Sequence, residues 1–144
     1  MSDFAKPSFF EILKTALVLT VPIIVVNVGL FFLGRAIGAF SSATGASDDL
    51  PITVGVVIIA SIIGSIIALA TYLLVQTLTP RPERWVSRIG YFLLFFSFLT
   101  ILIIENATLL TFLTLGAMHI VVALPFIQVF NRLSRQTMLV ASNL

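Results

Sequence analysis

Residues 52–78 read ITVGVVIIASIIGSIIALATYLLVQTL and contain no charged side chain in 27 positions. A helix needs about 20 apolar residues to cross the hydrocarbon core of a bilayer, so this segment is long enough to span one. Three further segments have the same apolar character: 15–34, 86–104 and 107–130. Their one charged residue is Arg88, near the start of 86–104. The pattern predicts an all-α, four-helix transmembrane bundle that forms a single domain over residues 1–144.

The composition of the whole chain excludes a water-soluble fold. Hydrophobic residues make up 59% of the 144 positions and charged residues only 10%, whereas an ordinary soluble domain has about 25% charged residues. The chain has no cysteine, which excludes disulfides, thiolate metal sites and cysteine nucleophiles. Eight basic residues are too few for a nucleic-acid interface. No phosphate-loop, dinucleotide, zinc-protease or serine-hydrolase motif occurs, so we expect no enzymatic activity.

The distribution of charge predicts the orientation. The connecting segment 35–50 holds one basic residue, Arg35, while acidic side chains occur on that side at Asp48, Asp49 and Glu105. Because basic loops stay in the cytoplasm, we expect both termini to be cytoplasmic and the protein to be a multi-pass component of the plasma (inner) membrane. The seven basic residues on the predicted inner side are Lys6, Lys14, Arg81, Arg84, Arg88, Arg132 and Arg135.

Two features flank the predicted spans on the inner side. Trp85 lies between Arg84 and Arg88, a grouping typical of an interfacial anchor that contacts lipid headgroups. The C-terminal tail 131–144 follows the fourth span and has two arginines near its start. It could lie on the membrane as an amphipathic helix or dock on a partner.

Small residues on the second span indicate close helix packing. Ala60, Gly64 and Ala68 recur at intervals of four, a spacing that lets two helix backbones approach closely within lipid. The same face would serve either a contact inside one chain or a dimer interface, and the sequence leaves both open.

A polar layer is predicted near the middle of the bilayer. Asn27, Ser97 and His119 each lie 11 or 12 residues from the inner end of their predicted helix, and Ser65 lies 13 residues from the end of its own. At 1.5 Å per residue the first three lie roughly 16–18 Å from the inner edge. Because unpaired polar groups are costly in hydrocarbon, we expect His119 to face the bundle interior and hydrogen-bond Asn27 or Ser97.

Three roles are open to this polar layer. The first is polar adhesion between helices. The second is ligand binding, in which His119 would bind the metal of a haem or chlorophyll; one histidine cannot supply both axial ligands of a haem, and the sequence requires no cofactor. The third is a proton or substrate path, which would normally use carboxylates inside the spans. An aromatic stripe of Tyr91, Phe95 and Phe98 is predicted either to face lipid and neighbouring helices or to hold a flat ligand.

The order of four short-looped helices, with Met118–Ala123 reading MHIVVA in the last, resembles an uncharacterised family of small bacterial four-helix membrane proteins. The resemblance implies a bacterial plasma membrane and carries no agreed activity.

Three functions are therefore predicted. The leading one is a non-catalytic integral membrane protein that serves as an accessory or scaffold subunit of a larger membrane complex, or that self-associates. The second is a binder of a hydrophobic ligand or cofactor (haem, chlorophyll, quinone or lipid) through His119 and aromatic residues. The third is a small oligomeric transporter or channel.

Overall fold

The computed structural model describes residues 7–41, 51–79 and 82–142. The described residues form helices and contain no β-strand. Four of these segments are long and apolar enough to cross a membrane, so the all-α bundle of four candidate spans is confirmed. The helices are α1 (Phe9–Ala36), α2 (Val54–Leu78), α3 (Pro82–Ser97), α4 (Leu99–Leu102) and α5 (Leu109–Ser142).

Side-chain caps fix where the first two spans begin. The Ser8 hydroxyl accepts a hydrogen bond from the Glu11 amide at 3.3 Å, and the Glu11 carboxylate accepts one from the Ser8 amide at 2.9 Å. This is the capping box that the sequence pattern predicts. Thr53 caps α2 with a single bond, in which its hydroxyl accepts from the Val56 amide at 3.4 Å. Each cap pairs backbone donors that a helix start would otherwise leave unsatisfied.

Neighbouring spans run in opposite directions. At one end of the bundle, the Gln76 side chain donates to the Pro7 carbonyl at 3.0 Å, and the Tyr72 and Ser134 hydroxyls lie 3.0 Å apart. At the opposite end, the Thr111 hydroxyl donates to the Ala39 carbonyl. The first, which we call the terminal end, therefore holds the start of α1 and the last turns of α5, and the second is the distal end.

The described basic residues divide unequally between these ends. Arg35 lies at the distal end, where α1 finishes. The five at the terminal end are Lys14, Arg84, Arg88, Arg132 and Arg135. Lys6 and Arg81, and the acidic Asp48 and Asp49, lie outside the described residues, as does the connecting segment from 42 to 50.

The third span is interrupted, which the continuous prediction over 86–104 did not anticipate. The helical bonding tightens at Phe98, whose amide donates to the Phe95 carbonyl three residues back at 3.2 Å. The hydroxyls of Ser97 and Thr100 donate to backbone carbonyls three residues earlier, at 2.7 and 2.6 Å. Such side chains compete with the helical backbone bonds. α3 and α4 together form one candidate span, Arg84–Leu102.

The fourth span continues into the predicted tail. α5 runs without a break to Ser142, so residues 131–142 extend the membrane helix, and residues 143–144 lie outside the described part. The sequence explains this continuity, because no glycine or proline occurs after Pro125.

The interior contains two apolar clusters. The larger one, at the terminal end, includes the stacked rings of Tyr72 and Phe130, whose centroids lie 4.4 Å apart. The smaller one, at the distal end, is formed by Phe31, Val57 and Met118. Between and beside these clusters the helices leave the space described next.

Candidate functional site

A cavity of about 630 Å³ lies between α2, α3 and α5. Its volume falls within the range of about 300–1,000 Å³ that is typical of small-molecule sites. Most of its wall is apolar, and the polar side chains are few. Those in the middle of the spans are Asn27 of α1, Ser61 of α2, Ser97 of α3 and His119 of α5.

Small residues on α2 create much of this space. Ala60, Gly64 and Ala68, the predicted packing face, all line the cavity. Gly64 faces α5 inside the same chain, because a Cβ on it would lie 2.9 Å from Val122 Cγ1. Ala68 packs against the larger apolar cluster, whereas Ala60 is exposed. The α2 face thus serves both as a helix contact and as a cavity wall.

α1 contributes Asn27 to the cavity wall, and only 2% of the surface of this residue is exposed. Its amide nitrogen donates to the Ser61 hydroxyl at 2.9 Å. The Ser61 hydroxyl in turn donates to the Val57 carbonyl at 2.8 Å, and Ser65 donates to the Ser61 carbonyl at 2.8 Å. The Asn27 Oδ1 atom is buried and has no hydrogen-bond partner within the described part of the chain.

The predicted hydrogen bond from His119 to Asn27 or Ser97 is wrong. Asn27 pairs with Ser61, and Ser97 donates to the Leu94 carbonyl of its own helix at 2.7 Å. Depth along a helix predicts the level of a residue but not the direction in which it faces, and Asn27 faces α2. Ser61 was missing from the predicted layer, although its position four residues before Ser65 on the small-residue face was a usable signal.

His119 lines the cavity as a half-buried side chain. Its ring lies 6.2 Å from that of Phe98, centroid to centroid, at an angle of 36°. Within residues 7–41, 51–79 and 82–142, no group of three or more histidine, cysteine, aspartate or glutamate side chains is arranged to hold a metal ion. The cavity therefore combines one imidazole with a carboxamide, hydroxyls and a large apolar surface.

The predicted aromatic stripe does not form a single face. Tyr91 and Phe95 point outward, with Phe95 71% exposed. Phe98 instead turns inward against Gly116, where an added Cβ would lie 3.0 Å from the phenylalanine ring. Because the helix is interrupted at Phe98, this side chain points toward the bundle interior and not outward like Tyr91 and Phe95. Of the three residues in the predicted stripe, Phe98 is therefore the one whose ring lies next to His119.

The predicted interfacial anchor has a defined geometry. Trp85 is about half exposed, and the Arg88 guanidinium carbon lies 5.7 Å from the centroid of its ring. This distance is within the range of a cation–π interaction. Arg84 is exposed beside them at the start of the third span.

Residues 10–136 match a protein family described as a family of unknown function (DUF6069). The chain belongs to this family. The match agrees with the predicted resemblance to an uncharacterised family of small membrane proteins, and DUF6069 itself assigns no activity. No curated protein and no solved structure matches this DUF6069 chain significantly. Its function must therefore be argued from the cavity.

Proposed function

We propose that this DUF6069 protein is a non-catalytic membrane protein that holds a hydrophobic small molecule in the cavity between α2, α3 and α5. The observation that carries the proposal is an apolar cavity of about 630 Å³ into which a small number of polar groups converge. That combination is typical of sites that bind an apolar body and orient it by a few hydrogen bonds.

The polar lining favours binding over catalysis. No carboxylate of the described residues lines the cavity, and a serine–histidine pair would require the serine hydroxyl to face the imidazole. Ser97 is instead bonded to the Leu94 carbonyl. His119 remains available as a polar contact, including as a single axial ligand of a haem or chlorophyll, although nothing in the arrangement demands a metal.

Filling the cavity tests this proposal. Ala60 lines the cavity and is exposed, so Ala60→Phe adds a ring without displacing a packed neighbour. Ala70→Phe makes the same change on an exposed position of α2 that does not line the cavity. For protein in nanodiscs, we expect Nile red to bind saturably to wild type and Ala70→Phe, and at least tenfold more weakly to Ala60→Phe. Equal binding to all three would contradict the proposal.

We further propose that both termini are cytoplasmic, which would place the terminal end of the bundle at the cytoplasmic face of the plasma membrane. The support is the concentration of basic residues at that end. The chain has no cysteine, so single cysteines report cleanly. In intact cells a membrane-impermeant maleimide should label Ser41→Cys and leave a cysteine appended after Leu144 unlabelled until lysis. The reverse pattern would contradict this orientation.

The accessory-subunit and transporter interpretations remain predictions. Exposed apolar side chains occur on every span, as at Val25, Ile59 and Leu113, and lipid covers such faces as well as a partner would. Purification in mild detergent separates the possibilities, because a scaffold brings a stoichiometric partner. Reconstituted flux that depends on Asn27 or His119 would indicate a transporter.

A further inference from the structure

We propose that the ligand of this cavity is an amphiphile with a neutral hydrogen-bond donor, such as the hydroxyl group of an alcohol or a phenol, which donates a hydrogen bond to Asn27 Oδ1. This inference rests on the proposed ligand-binding function and specifies the chemistry of the ligand. It depends on the orientation of one carboxamide and on the absence of charge from the cavity wall.

The hydrogen bonds of Ser61 fix the orientation of the Asn27 amide. A hydroxyl has one hydrogen to donate, and that of Ser61 goes to the Val57 carbonyl. The 2.9 Å contact with Asn27 must therefore be one in which Ser61 accepts and the amide nitrogen donates. Rotating the amide by half a turn would place two acceptors against each other. The carbonyl oxygen is consequently the atom left unpaired.

This unpaired oxygen can serve a ligand only as a hydrogen-bond acceptor. A buried amide oxygen without a hydrogen bond loses its solvation without compensation, and inside a bilayer no bulk water replaces it. Asn27 is 98% buried and lines the cavity, and its Oδ1 has no partner. The oxygen can accept hydrogen bonds and cannot donate them, so its partner must supply an O–H or N–H group.

The rest of the wall selects a neutral, largely apolar molecule. Among the side chains that the structure describes, no lysine, arginine, aspartate or glutamate lines the cavity, so a charged headgroup would lack a counter-ion from these residues and would be costly at this depth. The apolar lining contributed by α2, α3 and α5 fits a hydrocarbon chain or ring. Ethers and ketones have only acceptor oxygens and would face Asn27 Oδ1 without forming a bond.

Matched probes test the donor requirement. Dodecan-1-ol, its methyl ether and dodecane share one chain length, and 4-nonylphenol and 4-nonylanisole form a second pair. Each is used to displace Nile red from the wild-type protein in nanodiscs. A net hydrogen bond of ordinary strength corresponds to a preference of about threefold to tenfold for the hydroxyl compound over its methyl ether. The pair that shows the larger preference indicates whether the site favours an alcohol or a phenol.

Substitution of Asn27 identifies the acceptor. Asn27→Leu keeps a similar size, and Ser61 still donates to Val57, so no donor is stranded. Asn131→Leu is a matched control, because Asn131 Oδ1 is also buried and unpaired but does not line the cavity. The hydroxyl preference should fall to about onefold in Asn27→Leu, with Nile red binding retained, and should be unchanged in Asn131→Leu.

The outcomes separate this inference from the proposed function. If wild type binds alcohol, ether and hydrocarbon equally, the cavity accepts apolar chains alone and the hydroxyl inference is overturned, while the proposed function stands. A hydroxyl preference that survives in Asn27→Leu would also overturn it, by placing the acceptor elsewhere. If no probe displaces Nile red and Ala60→Phe does not weaken dye binding, the proposed function itself fails.

Discussion

The terminal end of the bundle and the middle of the cavity contrast in how they are packed. At the terminal end, large rings fill the interior: Tyr72 stacks on Phe130 with 4.4 Å between centroids, and Phe126 lies 5.4 Å from Phe130. These rings also border the cavity at its terminal end, whereas further along its wall α2 contributes the small residues Ala60 and Gly64. Because lipid tails are as apolar as the helix surfaces, the hydrophobic effect does not drive the helices together. Close packing must therefore stabilise the bundle. Concentrating that packing at one end leaves room for a ligand further along.

The polar groups of the two regions differ in the same way. Tyr72 and Ser134 pair with each other, and Ser134 also donates to the Phe130 carbonyl at 3.0 Å. Asn27 by comparison uses its nitrogen and leaves its oxygen unpaired. The Tyr72–Ser134 pair is satisfied internally, whereas Asn27 keeps an acceptor on the cavity wall; Asn131 Oδ1, at the terminal end, is also unpaired but does not line the cavity.

Removing a core ring at the terminal end should have the largest effect on stability. Phe130→Ala leaves a hole beneath Tyr72, and we expect a loss of about 3 kcal/mol of unfolding free energy. Phe92→Ala is the matched control, because Phe92 is exposed. Denaturant or thermal unfolding in detergent measures both. Equal losses in the two variants would mean that the terminal end is not the stability centre.

A smaller loss is expected where α3 crosses α5. A Cβ on Gly90 would lie 2.5 Å from Ile127 Cγ1, and a β-branched side chain cannot easily rotate away. We expect Gly90→Ala to destabilise the protein by about 2 kcal/mol through overpacking.

Gly29→Ala is the control for this crossing, since nothing lies within 4 Å of its added Cβ. Alanine is the better helix former, so that variant should be neutral or slightly more stable. If neither Gly90→Ala nor Gly29→Ala lowers the unfolding temperature, α3 and α5 do not approach each other this closely.

The smallest change concerns the polar pair at the terminal end. Tyr72→Phe removes one hydrogen bond but leaves Ser134 bonded to the Phe130 carbonyl. The expected loss is about 1 kcal/mol. Tyr91→Phe, on an exposed tyrosine of α3, should unfold at the wild-type temperature. A Tyr72→Phe variant as stable as wild type would show that the Tyr72–Ser134 hydrogen bond does not stabilise the fold.

Sequence patterns predicted the spans well because hydrocarbon imposes a simple rule on helix length and charge. Long apolar segments had to be helices, and the Ser8–Glu11 capping box began the first one as predicted. The small residues at Ala60, Gly64 and Ala68 also indicated a special face of α2. What they could not reveal is that this face borders a cavity, which depends on how far α3 lies from α2.

The site itself was predicted only in part, for a geometric reason. Depth arithmetic placed Asn27, Ser97 and His119 at one level, and all three do line the cavity. Their hydrogen bonds depend on rotation about each helix axis, which the interruption at Phe98 alters in the third span. The partner of Asn27 was therefore missed, and so was its unpaired oxygen.

Native mass spectrometry of the protein ejected from nanodiscs prepared from its own host membrane tests the ligand-binding claim most directly. Wild type and Ala70→Phe should each carry one additional small-molecule mass per chain, and Ala60→Phe should lack it. Bare protein in all three samples, or the same bound mass on Ala60→Phe, would contradict a ligand site in this cavity.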